Sequence, residues 1–358
     1  MFFIPAIILD NPPFASITQC AMSIVLAFLI YSFSKRFINQ DIGLLSSFVF
    51  LTSPFVTRFG TVPYIDIGAT LFCFAAFYTM VVWFKEEKLK YCLLSAIFWG
   101  LALSSKYYSI LYFFIVALTM MIAYGKKAKL SQFVLMGLIS VALAFPWYFR
   151  SKLYSGDWFF PLFINKIEKQ SFWSWEDYYS HLNHLRSLGV EKNIKSIFLF
   201  PINLLTRGNY FDKNLGMIMA IFWMSFLFIK RWTRFTAASV IIIIVYFLIW
   251  FYNFQDVRYL LPIFPLLSLL CGWVVRHFFY YVRIMNRHFF ICLTIIILVM
   301  GITDLVKVIR WKGTFPITEV EKSKYLSKWI PTYKAIQFLN TISEKDAVVY
   351  AFLDEGSV

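Results

Sequence analysis

Charge is what this sequence has least of. Asp, Glu, Lys and Arg make up 15% of its residues, against about a quarter in a soluble domain. Ten apolar stretches, at about 17–34, 42–57, 67–84, 91–105, 107–124, 132–149, 215–229, 235–254, 259–275 and 289–303, contain none of the four. No basic residue precedes Lys35, so the positive n-region of a cleaved signal peptide is missing and no cleaved leader is expected. Cysteine is scarce too: Cys20, Cys73, Cys92, Cys271 and Cys292 all fall inside apolar stretches, without disulfide or metal-ligand spacing. His181 and His184 stand three apart, but no third ligand is evident. They read as solvated or interfacial side chains, and no metal or cofactor is expected.

What is present is apolar and aromatic: 60% hydrophobic residues, with Phe 42, Tyr 21 and Trp 12, and a mean hydropathy of +0.68. That composition excludes disorder, coiled coil, collagen and a disulfide scaffold. Spans of about 20 residues would fit roughly ten times into the chain. Bilayer hydrocarbon offers the backbone no partners, so each span must satisfy its own hydrogen bonds. The stretches are solid blocks rather than the alternating segments of a membrane barrel. The expected fold is therefore an all-α polytopic membrane protein.

The short loops set its orientation. One alternating set carries Lys35, Arg36, Lys85, Lys88, Lys90, Lys126, Lys127, Lys129, Lys230, Arg231, Arg234, Arg276, Arg283 and Arg287; the other carries only Arg58, Lys106 and Arg258. The basic set is expected on the cytoplasmic side. The net charge of +15 is thereby explained as an orientation signal, and nucleic acid is not an expected partner. Residues 1–16, the long 150–214 connection and 309–358 then lie outside, around a transmembrane region at 17–308.

A transporter or channel usually carries ionisable groups within its spans; here the polar chemistry gathers at the outer turns. Asp66 stands where the third span begins, after Thr57-Arg58-Phe59-Gly60-Thr61-Val62-Pro63-Tyr64-Ile65. Lys106 follows Ser104-Ser105 and precedes Tyr107-Tyr108. Arg150 ends Pro146-Trp147-Tyr148-Phe149-Arg150, and Arg258 and Tyr259 open Arg258-Tyr259-Leu260-Leu261-Pro262. An arginine fork and a lysine point charge suit phosphate oxygens, and a carboxylate can take the proton of an acceptor hydroxyl. Each residue also has a plainer reading. Lys106 and Arg258 could be snorkelling anchors, and Asp66 a helix cap.

Four fragments, in order, resemble the dolichyl-phosphate-mannose–protein mannosyltransferase superfamily, the glycosyltransferase-39 branch of the GT-C fold. They are Pro54 with Tyr64-Ile65-Asp66; Gly100-Leu101-Ala102-Leu103-Ser104-Ser105-Lys106-Tyr107; Pro146 to Arg150 with Gly156 to Pro161; and Arg258-Tyr259-Leu260-Leu261-Pro262-Ile263-Phe264-Pro265. The resemblance covers roughly residues 20–275. It implies a GT-C helix bundle that passes a sugar from a polyprenyl-phosphate donor to a glycan, lipid or protein acceptor at the periplasmic face of a bacterial inner membrane. Asp66 then maps onto the carboxylate of the family's second outer loop, with Lys106, Arg258, Arg150 and Tyr259 near the donor phosphate. Asp157 departs from the family's usual Asn. The family also keeps a principal carboxylate after a helix that would precede this chain's first span, and Asp10 lacks that context and reads as a turn starter. The start of the chain therefore reads as cut short, and an inactive fragment is one alternative. An O-antigen ligase or polymerase, resting on Arg186 or Arg207 rather than Asp66, and a transporter are others.

Two further expectations concern the long connection and the tail. Mixed aromatic and polar residues from Ser171 to Leu185 predict a helix in the headgroup layer, with Trp173 and Trp175 in the interfacial belt, and Ile197–Pro201 a short dip toward the membrane. Residues 331–340 predict an amphipathic helix, and 347–353 a strand, as the start of a small external α/β segment.

Overall fold

In the computed structural model of the 358-residue chain, the described residues are 4–9, 12–125, 130–160, 175–200, 202–203, 233–281, 318–329 and 332–343, with isolated positions between 295 and 310. Among these residues every regular element is helical. The chain divides into two compact units, Met1–Val308 and Ile309–Val358.

The first unit opens with α1 (Ile4–Ile8) and α2 (Pro12–Phe37), then α3 (Gln40–Thr52), α4 (Pro54–Phe59), α5 (Asp66–Glu86), α6 (Leu89–Ser105), α7 (Tyr108–Tyr124) and α8 (Leu130–Ser155). After them come α9 (Trp175–Ser187), α10 (Ile194–Phe198), α11 (Arg234–Tyr252), a 3₁₀ helix at Val257–Ile263 and α12 (Phe264–Tyr281). Among the described residues, five segments are long and apolar enough to cross a membrane: Phe14–Phe37, Asp66–Glu86, Leu130–Ser155, Arg234–Tyr252 and Val257–Val274. The shorter apolar helices are α3, α6 and α7.

Helix α5 is the centre of the bundle. Its buried residues run almost without a gap from Asp66 to Phe77 and again from Met80 to Phe84, so it is enclosed on every side rather than along one stripe. It packs against α6, α2, α7 and the 3₁₀ helix. Helix α8 is the opposite case. Only Phe133, Met136, Ser140 and Ala144 are buried, one stripe at helical spacing, and it faces α6. Its remaining surface presents Val134, Leu138, Val141 and Phe145 outward. Water would penalise so broad an apolar face; bilayer hydrocarbon does not.

The α6–α8 contact depends on Gly100. A Cβ there would lie 2.7 Å from Leu143 Cβ and 3.2 Å from the Ser140 carbonyl oxygen, while Ser140 Oγ donates across the interface to the Ala96 carbonyl at 2.9 Å. Gly100→Val is expected to lower stability by about 1–3 kcal/mol, the usual cost of overpacking. A thermal-unfolding midpoint in detergent, read beside Gly125→Ala, where a Cβ meets nothing within 4 Å, checks this.

Several expected boundaries shift. The stretch 42–57 is two helices, because Ser53 before Pro54 takes an extended ψ of 123°, as residues before proline do; α4 starts afresh at that proline. The helix of the first span begins earlier than expected, at Pro12, and the span itself at Phe14. The sixth continues through Pro146 to Ser155. The ninth opens as a tight 3₁₀ helix before α12 takes over at Phe264. The stretch 215–229, most of 289–303, Asp10, Trp173, Arg207 and the strand expected at 347–353 lie outside the described residues. A helix does form at Trp175–Ser187, where one was expected.

At one end of the bundle the C-termini of α2 and α5 meet the start of α6. Arg36 and Lys88 both pair with Glu86, and Lys85 lies over the Phe37 ring at 4.2 Å. The other end of α5 carries Asp66.

In the second unit, α13 (Glu319–Trp329) and α14 (Tyr333–Ile342) are described. Helix α13 was not anticipated. It starts on a reciprocal cap, with Thr318 Oγ1 accepting from the Glu321 amide at 3.2 Å and Glu321 Oε2 accepting from the Thr318 amide at 3.1 Å. The tail helix expected at 331–340 is α14.

Candidate active site

The residues singled out at three separate turns come together at the end of α5. Asp66 is its first residue and is fully buried. The cap position belongs to Ile65, and the Asp66 side chain makes no capping bond, which removes the cap reading. Neither carboxylate oxygen accepts a hydrogen bond. Lys106 Nζ lies 3.3 Å from Asp66 Oδ1, within ion-pair reach but off hydrogen-bond geometry. A buried carboxylate without hydrogen bonds is costly; here Lys106 and the positive end of the α5 dipole offset part of that cost.

Lys106 reaches Asp66 because α6 stops there. It is the C-cap of α6, in extended conformation, and its amide closes the last turn onto the Ala102 carbonyl. Helix α7 starts two residues later, with the Lys106 carbonyl accepting from the Ser109 amide at 3.1 Å. The side chain is thus held at a sharp helix–helix turn and remains 26% exposed. It also lies 6.0 Å from the centre of the Tyr108 ring, whose hydroxyl donates to the Asp66 carbonyl at 3.5 Å.

Arg258 arrives from the turn after α11. Asp256 caps the 3₁₀ helix: its Oδ1 accepts from the Arg258 amide at 2.9 Å, and its Oδ2 accepts from Arg258 Nε at 2.8 Å and Nη2 at 2.6 Å. The guanidinium lies over Tyr64 and Tyr259, 5.6 and 5.9 Å from their ring centres. The Asp66 charge acts on Arg258, Tyr259 and Tyr108, and the rings of Tyr108 and Tyr259 are 6.1 Å apart. Two buried carboxylates, Asp66 and Asp256, an ammonium, a guanidinium and three phenols therefore share one rim.

Asp256, Tyr64 and Tyr108 belong to this rim although none was singled out. Their signal lay beside the chosen residues, as Asp-Val-Arg, Tyr-Ile-Asp and Lys-Tyr-Tyr. Arg150 stands apart: it is exposed near the end of α8, its guanidinium over Tyr154 at 5.6 Å, and among the described contacts it touches none of the rim residues. Asp157 shapes a turn, with Oδ1 accepting from the Phe159 amide at 3.1 Å. Arg186 is exposed on α9. Among the described residues no group of three or more His, Cys, Asp or Glu could hold a metal ion.

Next to the rim is an apolar cavity of about 460 Å³ between α6, α7 and α8, lined by residues that include Leu103, Phe113, Val141, Phe145, Trp158 and Phe159. Its two hydroxyl-bearing walls are neutralised. Ser140 Oγ donates to the Ala96 and Met136 carbonyls, and Tyr148 OH donates to the Leu103 carbonyl at 3.0 Å. Tyr107, the neighbour of Lys106, joins rim to cavity: its ring packs on Tyr148 and Phe159, and its hydroxyl donates to the Phe160 carbonyl at 2.8 Å.

Residues 4–149 match the family model of dolichyl-phosphate-mannose-protein mannosyltransferase, a stretch that includes Asp66 and Lys106. A search of curated proteins finds no match. Among solved structures, ArnT from Cupriavidus metallidurans in the apo state is similar over 74% of this chain and 45% of its own, with a TM-score of 0.51 and 12% identity. ArnT of the same organism bound to undecaprenyl phosphate is similar over 73% and 46%, with a TM-score of 0.51 and 14% identity. The chain thus spans less than half the length of the ArnT structures, and at these identities the likeness is one of fold. The family match is confined to residues 4–149, less than half of the chain, and the likeness to ArnT adds a shared helix-bundle fold.

Proposed function

We propose that the chain is an integral membrane glycosyltransferase that passes a sugar from a polyprenyl-phosphate donor to a hydroxyl or amine acceptor, with the site on the periplasmic face of a bacterial inner membrane. The observation that carries this reading is the buried Asp66 carboxylate, paired with Lys106 and facing Arg258, beside an apolar cavity whose two hydroxyls are turned to backbone carbonyls. Such a rim suits a molecule with an anionic head and a long apolar tail. The ArnT structure bound to undecaprenyl phosphate supports a lipid of that chemistry.

In the proposed step the acceptor oxygen or nitrogen forms a bond to the anomeric carbon as the bond from that carbon to the phosphate oxygen breaks. The electron pair of the broken bond stays on the phosphate. Asp66 takes the acceptor's proton. Lys106 and Arg258 stabilise the charge growing on the leaving phosphate, and they do so without reorganising because each is already held by a carboxylate. Tyr64 and Tyr259 pack their rings beside the guanidinium. The tail lies in the cavity behind Tyr107, whose volume falls within the 300–1,000 Å³ typical of ligand pockets, roughly.

The cavity supplies the experiment. Val141 lines it on a helix face that is otherwise exposed. Val141→Trp is expected to raise KM for an undecaprenyl-phosphate-sugar donor by about tenfold, the loss of one well-buried apolar contact set. KM for a donor with a two-isoprene chain should stay as in the wild type. Equal effects on both donors would remove the tail from the cavity.

A further inference from the structure

The turn that carries Arg258 is fastened to the long connection between α8 and α11 through one fully buried side chain, Gln255. Its amide grips a single residue of that connection from both sides. Gln255 Oε1 accepts from the Val190 amide at 2.7 Å, and Gln255 Nε2 donates to the Val190 carbonyl at 3.0 Å and to the Phe251 carbonyl at 3.1 Å. A second tie runs beside it, from Lys192 Nζ to the Asn253 carbonyl at 2.6 Å. The neighbour of Val190 has to be glycine. Gly189 has φ +97°, and a Cβ there would fall 1.9 Å from Gln255 Oε1 and 2.5 Å from its Cβ, with no space to occupy. The next residue after Gln255 is Asp256, whose carbonyl accepts from Trp250 Nε1 at 2.7 Å and whose carboxylate holds the Arg258 fork.

We infer that Gln255 is a positioning residue: by clasping the backbone at Val190 it holds the Asp256–Arg258 turn in place, so that the position of the guanidinium depends on the connection that precedes α11. The clasp is satisfied at every polar atom of the Gln255 side chain, which a filler of similar size would not require. It also joins two segments 65 residues apart in sequence, a separation whose closure would be entropically costly without such a tie. The consequence for donor binding rests on the proposed function; the clasp itself does not.

The test uses the full chain in detergent or nanodiscs, with Gln255→Leu, Gly189→Ala and, as a control, Gly125→Ala. Hydrogen exchange of amides 256–260 is read together with the apparent affinity for undecaprenyl phosphate. Both clasp variants are expected to exchange about tenfold faster across 256–260, as loss of one to two buried hydrogen bonds predicts, with α5 protected as before and Gly125→Ala like the wild type. Affinity for undecaprenyl phosphate should fall by several-fold in both, a change that mere structural support would not produce at an unchanged unfolding midpoint. Should either substitution prevent folding, Gln255→Glu keeps the acceptor for the Val190 amide and should loosen 256–260 to an intermediate degree. Unchanged exchange at 256–260 in the clasp variants overturns the inference. Faster exchange, in a wild type that binds no undecaprenyl phosphate, would uphold the clasp and defeat the functional reading instead.

Discussion

Asp66→Asn is expected to abolish sugar transfer, with a loss of about 10³-fold or more, while the amount of protein in the membrane stays unchanged. The magnitude is that of removing a general base, about 10²–10⁴. The substitution is close to isosteric and the buried carboxylate accepts no hydrogen bond; the partner lost is Lys106, which is 26% exposed and can turn its ammonium to solvent. The informative comparison is with donor binding. Because Asp66 is assigned to the acceptor's proton and not to the phosphate, affinity for undecaprenyl phosphate should hold or rise, since the cations lose a competing carboxylate. A transfer assay on membranes carrying equal amounts of each protein makes the measurement. Full activity in Asp66→Asn, with loss of activity in Arg186→Ala, would move the site toward a ligase-like chemistry on the long connection.

Lys106→Met should be the more damaging change, because it fails in two ways. Transfer is expected to drop by about 10²–10³, the loss typical of one group that stabilises developing charge. Stability should also fall by about 3–5 kcal/mol, the cost of leaving one member of a buried pair alone, reduced to the extent that the 26% exposed lysine is solvated. The double variant Asp66→Asn/Lys106→Met separates these effects. It leaves no charge behind, so its unfolding midpoint should return toward that of the wild type, while transfer stays absent. Such non-additivity is the signature of two groups in contact. A double variant as unstable as Lys106→Met would mean that the lysine supports the turn between α6 and α7 by packing alone.

How much of this was legible in the sequence differs from residue to residue. Asp66, Lys106 and Arg258 stood out because they lie between chargeless apolar stretches, at turns otherwise poor in charge, and the structure brings all three to one end of α5. What sequence spacing could not reveal was the pairing of Arg258. Asp256 is two residues away, on the opposite side of an ordinary helix or the same side of a strand, and only the 3₁₀ turn with an aspartate cap folds its carboxylate under the guanidinium. Arg150 illustrates the converse: the Pro-Trp-Tyr-Phe-Arg string pointed to the rim, but α8 continues past Pro146 and carries the arginine to an exposed face.

Element existence was easier to read than continuity. Hydropathy reports whether a segment avoids water, and Phe50 and Phe55 do so equally well, yet the backbone between them is broken by Pro54. The proline was visible in the apolar stretch and physically sufficient to end a helix. The start of α13 was visible as well, in Thr318-Glu319-Val320-Glu321, where the threonine and the second glutamate cap one another. The clasp at Gln255 was not. A glutamine and a glycine 66 positions apart announce nothing until the chain folds them against each other.

Donor binding is the measurement that tests the shared rim most directly: a titration of undecaprenyl phosphate into the purified full chain, repeated for Asp66→Asn, Lys106→Met and Arg258→Met. If the two cations hold the phosphate while the carboxylate serves the acceptor, Lys106→Met and Arg258→Met each weaken binding by about tenfold or more, and Asp66→Asn does not. Equal affinity in all four proteins would contradict the account, because the anionic head would then dock somewhere other than between Lys106 and Arg258.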